Sequence, residues 1–363
     1  MIKLFRILLL LFRKFGFRFV YIFIPFYRLI YKALYYFGNL LDEIFYRKFR
    51  SIVIKKPVFL VGHPRSGTTF LHKFILKNSS EFEGMFLWRM IFPTLSSRFI
   101  IKPLLPFINR IFPQNLYDPN IHKTGFLEPE TDDAALFFNS FDGMFSWLYF
   151  SALNDYDSQL DLERDLVKTS KTRIVLHNLK IIFQKNLYRS SKSKRIFSKS
   201  FSLILDLKGV KEVFDDPKLV ILIRNPLEVI PSSLSLARNV QMNLNGFGKL
   251  SNEEKLSYYR NLYNGSIIFY KYLVNQISNG DLAESDFLLI CYKNLIQDFE
   301  KTVDRIINYC EIEKTPELLE SIKNQSDKQP TFKGNHSYTL EEFGLTKEEV
   351  LRDFDFVYSI FDL

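Results

Sequence analysis

At 363 residues, 47% of them hydrophobic, the chain can bury a substantial core and accommodates either one large α/β domain with an appendage or two domains. Its formal charge of +9 sits at one end: residues 1–50 carry ten Lys and Arg against Asp42 and Glu43, while the remaining 313 carry 39 against 38. That distribution does not argue for a nucleic-acid-binding body, and two cysteines without metal-ligand spacing, Cys291 and Cys310, exclude a disulfide framework and point to a reducing compartment.

Residues 1–37 are densely apolar, but Arg6, Arg13, Arg18 and Arg28 interrupt every run before it reaches the ~18–20 residues of a membrane span. Ala33 is the only alanine there, which argues against a cleaved secretory signal. Residues 1–50 are therefore expected to form a basic amphipathic helical arm, divided into two or three helices at Pro25 and Gly38. Such an arm lies in a membrane interface, with its basic residues toward anionic headgroups, or packs on the body at 51–363 or on a second subunit.

The apolar run at 57–62 reads as a strand. A loop over 62–67 leads into a helix over 68–78, where Phe70, Leu71, Phe74 and Ile75 share one face. Residues 85–118, broken by Pro93, Pro103, Pro106 and Pro113, read as short helices of a pocket wall or lid. Helices over 130–150 and 160–190 precede a short strand at 195–199 and a helix over 202–214. The β-branched run at 219–223 is a fully buried strand, followed by Asn225 as a cap and Pro226 at the first helical position. A helix over 252–278, a strand at 287–292 and a helix over 295–309 follow. Capping boxes at Thr339/Glu342 and Thr346/Glu349 mark two late helix starts. Alternating strands and helices predict an α/β fold with a P-loop-like parallel sheet flanked by helices.

Gly62-His63-Pro64-Arg65-Ser66-Gly67-Thr68-Thr69, between strand and helix, is a phosphate cradle: backbone N–H groups and the positive helix end face an anion. An ATP or GTP loop of this frame places Lys directly after the second Gly. Here Thr68 stands in that position, and Arg65 is the cation of the loop. No acid closes the strand at 219–223, which ends in Arg224. A P-loop kinase or NTPase, and a membrane-bound nucleotide-binding scaffold, are the alternatives to the reading that follows.

With Pro-Arg-Ser-Gly-Thr-Thr inside it, the loop resembles the one that binds the 5′-phosphosulfate of 3′-phosphoadenosine 5′-phosphosulfate (PAPS) in sulfotransferases. Sulfuryl transfer calls for N–H donors, hydroxyls and a cation at the leaving bridging oxygen, with no γ-phosphate lysine and no bridging metal. The resemblance assigns these roles to Arg65, Ser66, Gly67, Thr68 and Thr69. Arg224 and Ser232, eight residues apart, resemble the Arg and Ser that suit the 3′-phosphate. Lys199, in Ser198-Lys199-Ser200, matches a Lys found at this point in membrane-associated and Golgi-type sulfotransferases, where it implies a second cation on the sulfuryl group; read alone, it belongs to a basic run with Lys192, Lys194 and Arg195. Tyr292 resembles a strand-end Tyr near the adenine. Residues 333–345 resemble the ending of a broad sulfotransferase group, in which Lys333 would reach the 3′-phosphate.

A hydroxyl acceptor must lose a proton as the new bond forms, so a base is needed. The stretch Glu128-Pro129-Glu130-Thr131-Asp132-Asp133 resembles a Pro-Glu-Glu-Asp stretch of the family and makes Glu130 the expected base, with Glu128, Asp133 and His122 behind it. Read alone, it is the acidic start of a helix over 132–141. The resemblance runs from about Lys56 to the C-terminus and is weakest over 85–190. It implies a PAPS-dependent sulfotransferase that releases PAP without a metal and works on a hydroxyl or amine. The arm and the Pro-broken insert suggest a lipid-like or glycan acceptor, and a protein in the cytoplasm or on the cytoplasmic face of a membrane.

Overall fold

The computed structural model describes residues 2–111, 125–170, 173–188, 190, 194–329 and 339–363. Along the chain these include helices α1 (Ile2–Phe15) and α2 (Val20–Phe45), strand β1 (Val58–Gly62), helix α3 (Thr68–Asn78) and strand β2 (Phe82–Glu83). Short helices α4 (Leu87–Ile91), α5 (Leu95–Ile101), α6 (Leu105–Ile111) and α7 (Asp133–Ser140) follow, then strands β3 (Arg195–Lys199), β4 (Lys218–Ile223) and β5 (Phe287–Cys291). The chain divides into two compact units. A helical unit holds Met1–Val53, Met85–Arg189 and Ser235–Gly265, and a sheet unit holds Ile54–Gly84, Ser190–Leu234 and Ser266–Leu363.

The sheet unit is built on five parallel strands in the order β2-β3-β1-β4-β5. β1 is central, with Val58 opposite Phe197 of β3 on one side and Lys218 of β4 on the other. All five residues of β1 are buried, as a strand covered on both faces must be, which is why its sequence is continuously apolar rather than alternating. Val58 and Leu60 point into one core with Leu71 and Ile75 of α3 and with Val303 and Ile306 of the helix Phe299–Cys310. Burial of each such side chain stabilises the unit by about 1.5–3 kcal/mol. On the opposite side of β1, the Phe59 ring packs 4.9 Å from that of Phe214.

The strands expected at 57–62, 195–199, 219–223 and 287–292 are present to within a residue at either end. The two-residue β2 is too short to announce itself. The helix Pro316–Ser326 is legible in principle, since Thr315 caps it by accepting from the Leu318 N–H and Pro316 takes its first position. The helix expected over 202–214 divides into a 3-10 turn, Ser202–Leu205, and a helix, Leu207–Val213, because Asp206 caps the second piece through the Gly209 N–H. The Thr346 cap forms as expected, while Thr339 precedes only a 3-10 turn, Glu341–Phe343. Helix Pro226–Asn245 runs on through Pro231.

The helical unit includes the N-terminal segment. Its break falls at Gly16, in the left-handed region (φ +73°), and α2 runs unbroken through Pro25 and Gly38, where divisions were expected. Pro25, in the second turn, removes one backbone hydrogen bond from α2 without ending it. Gly38 has a packing role instead: a Cβ there would meet Thr94 Oγ1 at 2.5 Å. Asp42 of α2 is wholly buried, accepts from the N–H groups of Leu95 and Ser96 at 2.8 Å each, and pairs with Lys185 at 2.8 Å. Asp42 thereby caps α5 and fixes α2 against it. The helix expected over 130–150 is split, α7 and Met144–Tyr149, by the left-handed Phe141 and by Gly143. That over 160–190 comprises Gln159–Ser170 and Arg173–Leu187.

Candidate functional site

In an open parallel sheet, ligands bind beyond the carboxyl ends of the strands where the winding direction reverses. Here that point lies at β1, between β3 and β4, and the sequence places polar residues at each of these ends. β1 ends at Gly62 and feeds the glycine-bounded loop, β3 ends at Lys199, β4 is followed directly by Arg224, and β5 by Tyr292. Four separate stretches of sequence thus converge because parallel strands all point the same way.

The loop is shaped by two glycines and one strained residue. At Gly62 a Cβ would stand 2.6 Å from the Leu222 carbonyl oxygen, so the approach to β4 requires glycine. Gly67 is left-handed (φ +87°), and a Cβ there would lie 2.9 Å from the Tyr292 ring. Arg65 is also left-handed (φ 74°), a conformation that costs a non-glycine residue about 1–2 kcal/mol. Its carbonyl is held by the Arg224 guanidinium (Nη1 to O, 2.9 Å), and its own Nε donates to Ser232 Oγ at 3.1 Å. The guanidinium of Arg224 also lies over the Tyr292 ring, 4.3 Å from its centre, and pairs with Glu228 at 3.1 Å. Arg65, Arg224, Ser232 and Tyr292, picked from four places in the sequence, therefore form one contact chain around the loop.

Lys199 is only 1% exposed, and its ammonium donates to Thr69 Oγ1 in the first turn of α3 at 3.1 Å. Of its two sequence readings, a solvated member of a basic run and a cation at the loop, this burial fits the second. Ser66 is wholly buried, and its Oγ has no hydrogen-bond partner among the described residues. A buried hydroxyl in a loop whose neighbouring contacts bring in two guanidinium groups and an ammonium is a donor set that an anionic ligand would satisfy.

Two supports were not singled out in the sequence. His63, inside the loop, is buried, and desolvation holds its imidazole down to about 4, so it is neutral. Its Nδ1–H donates to the Pro64 carbonyl, its Nε2 accepts from Ser266 at 2.9 Å, and its ring stacks on that of Tyr270. Tyr270 in turn donates to the Arg224 carbonyl at 3.0 Å. His63 is visible as a histidine of the loop, but nothing in the sequence connects it to Ser266 or Tyr270, about 200 residues away.

Glu130 belongs to the helical unit. Residues 126–130 run beside 85–88, with the Glu130 N–H bonded to the Met85 carbonyl, and the carboxylate is buried, accepting from the Thr131 N–H at 2.8 Å. The acidic stretch does not cap α7 in the expected way: Asp132 precedes the helix without a side-chain bond to it, and Thr131 donates to Asp133 instead. Lys333 and His122 lie outside the described residues. Among the described residues no cluster of His, Cys, Asp and Glu is placed to hold a metal.

Comparison with known proteins adds three findings. A family model described as "Sulfotransferase family" matches residues 57–317, well over half of the chain. The fold is similar to that of sulfotransferase STF9 from Mycobacterium avium, with a TM-score of 0.69 at 18% identity, covering 90% of this chain and 81% of that one. It is also similar to sulfotransferase STF1 from Mycobacterium tuberculosis H37Rv, with a TM-score of 0.68 at 17% identity, covering 97% and 91%. A search of curated sequences finds no match.

Proposed function

Since the chain belongs to the sulfotransferase family, we propose that it moves a sulfuryl group from PAPS to a hydroxyl or amine of a lipid-like or glycan acceptor and releases PAP. The observation that carries this reading is the convergence of the 62–69 loop, Lys199 and Arg224 at three neighbouring strand ends, with Thr68 where a γ-phosphate lysine would stand.

The site fits a phosphosulfate nucleotide on its own chemistry. Ser66 Oγ is a buried donor with no acceptor among the described residues, Gly67 lets the Tyr292 ring close against the loop, and the surrounding charge is cationic. Arg65, Ser66, Gly67, Thr68 and Thr69 would hold the 5′ end, Arg224 and Ser232 the 3′-phosphate, and Tyr292 the adenine side, with Lys333 a further candidate for the 3′-phosphate. When bound, PAPS supplies an activated sulfuryl group on a phosphate leaving group. Lys199 is already pre-positioned by Thr69, so its charge needs no reorganisation to stabilise the negative charge that develops on the leaving oxygen. Arg65 supplies the second cation, held in a left-handed conformation by the Arg224 contact to its carbonyl. Glu130 is assigned as the base that takes the acceptor's proton.

The test is binding and transfer together. PAP should bind tightly without Mg²⁺, and labelled PAPS incubated with a lipid and glycan extract should yield a sulfated product identifiable by mass. Binding that requires Mg²⁺, or tight ATP binding in preference to PAP, would overturn the reading.

A further inference from the structure

Helix α2 is turned inside out. A surface helix of a water-soluble protein buries its apolar stripe and shows its polar side to solvent. In α2 the polar residues face inward: Arg28 is 7% exposed and its Nη2 donates to the Asn139 carbonyl at 2.9 Å, and the single Tyr31 hydroxyl proton is shared between Asn139 Oδ1 at 2.8 Å and the Ile91 carbonyl at 3.0 Å. Asp42, on the same face, is buried against Lys185 and the start of α5. The opposite face is apolar along its whole length, with Phe23, Phe26, Ile30, Leu34, Phe37 and Ile44 each between 45% and 65% exposed. Of the four charged side chains of α2, Arg28 and Asp42 are buried, and Lys32 and Glu43 are partly exposed. The pattern does not stop there. Phe99, Ile100, Phe107 and Ile111 of the α5–α6 segment are each exposed by more than 60%, and α5 is fixed to α2 by the Asp42 cap.

The charge carried by α2 and the α5–α6 segment is mostly basic, while on α1 Lys3 pairs with Asp142 and Lys14 with Asp155. Of the two acids in residues 1–50, Asp42 is paired with buried Lys185 and Glu43 with Arg50. Residues 85–111 contain no acid at all and carry four basic residues, of which Lys102 and Arg110 are exposed and Arg98 is buried on the Phe92 and Arg89 carbonyls. α1 shows exposed Phe5 and Phe12 beside exposed Arg6 and Arg13. A monomer in water rarely carries an apolar surface of this extent, and the exposed Lys102 and Arg110 beside it complement an anionic one.

We infer that the exposed face of α2, continued by α5–α6, is a docking surface that seats the protein on one leaflet of an anionic phospholipid bilayer without crossing it. α2 is about 39 Å long, more than the ~30 Å hydrocarbon core, yet Arg28, Tyr31 and Asp42 bind one side of it to the helical unit, so lipid can reach only the other. None of the described helices is long and apolar enough to cross a membrane. The helix therefore lies in the plane of the interface, apolar side chains in the acyl region and basic residues toward the headgroups. This inference stands on the helical unit and does not depend on the donor assignment.

The experiment uses the full chain and sucrose-loaded vesicles of phosphatidylglycerol with phosphatidylcholine, against vesicles of phosphatidylcholine alone. The protein should sediment with the anionic vesicles, and Phe26→Glu with Leu34→Glu should weaken that partition roughly 100-fold, since two large apolar side chains are withdrawn from lipid and two negative charges added. Both positions are already exposed, so thermal melting and PAP binding should be unchanged. As a second reporter, the fluorescence of a Phe37→Trp variant should be quenched by lipids brominated in the acyl chain. Absence of vesicle binding, binding indifferent to the double substitution, or fluorescence of the Phe37→Trp variant that brominated lipid leaves unquenched would overturn the inference. So would a dimer, seen by sedimentation velocity without lipid, that the double substitution dissociates while vesicles capture nothing, because the face would then belong to a second copy of the chain.

Discussion

Arg224 gives the sharpest test of the donor site, because the structure assigns it one task and the functional reading another. Its Nη1 holds the Arg65 carbonyl at 2.9 Å, which supports the loop for any nucleotide that uses it. The proposed second task, a bidentate grip on the 3′-phosphate, matters only for a nucleotide that has one. Arg224→Lys keeps a positive charge but loses the fork and the planar stacking on Tyr292. The loss of a charge-assisted hydrogen bond is worth about 1.5–3 kcal/mol, or about 10- to 150-fold in Kd. Isothermal titration of wild type and variant with adenosine 3′,5′-bisphosphate and with adenosine 5′-phosphate separates the two tasks. Damage to the loop lowers both affinities alike and cancels in their ratio; loss of the 3′-phosphate contact does not. The ratio should therefore fall by about 10- to 150-fold. An unchanged ratio, whatever the absolute affinities, would refute the assignment.

Three further outcomes follow from the same contacts. Lys199→Met keeps the stem that fills its buried slot, so the fold should survive, while transfer from labelled PAPS should drop about 10²- to 10³-fold, as for loss of one preorganised donor; wild-type turnover would remove Lys199 from the chemistry. Lys185→Ala leaves Asp42 buried without its cation, and urea unfolding should show a loss of about 3 kcal/mol, the low end for a broken buried pair because Leu95 and Ser96 still donate to the carboxylate; a change below about 1 kcal/mol would mean that water reaches the pair. His63 is neutral in the fold, with its pKa lowered from 6.5 to about 4 by burial, so the unfolded chain binds the extra proton first as pH falls. Its contribution is fully present above pH 6.5 and is lost toward pH 4, about 3 kcal/mol over that window. Urea midpoints measured across the window should fall in wild type and fall less in His63→Gln; equal slopes would show that His63 is not the group responsible.

Much of the sheet unit is legible because its signals are local. A run such as 219–223 has no alternation since both its faces are covered, and Asn225-Pro226 marks the helix start through geometry that two adjacent residues decide: Asn225 Oδ1 accepts from the Leu227 N–H at 3.0 Å. The phosphate loop is legible as a spacing of residues between a strand and a helix, with Gly67 answering to the left-handed turn, although Gly62 answers to the Leu222 carbonyl of β4. By contrast, the buried setting of Lys199 and the stacking of Arg224 on Tyr292 depend on which strands become neighbours, and β3, β4 and β5 are far apart in sequence. The expected division of the N-terminal segment fails because it treats Pro25 and Gly38 as helix breakers. Pro25, in the second turn, costs α2 one backbone hydrogen bond without ending it, and Gly38 is needed for contact with Thr94, a residue that local sequence cannot supply.

By itself the sequence determined strands β1, β3, β4 and β5, the phosphate-binding loop without its lysine, and the concentration of positive charge in the first 50 residues. All of these are properties of neighbours along the chain, read through local sterics and charge. Only the tertiary structure decided that Arg65, Ser232, Arg224 and Tyr292 form one contact chain and that Lys199 reaches Thr69, because parallel strands deliver their carboxyl ends to one edge whatever their order in sequence. It also decided which way α2 faces. Periodicity alone predicts an amphipathic helix with its apolar side inward. The buried hydrogen bonds of Arg28, Tyr31 and Asp42 hold the polar side to the protein instead, and leave the apolar side facing out.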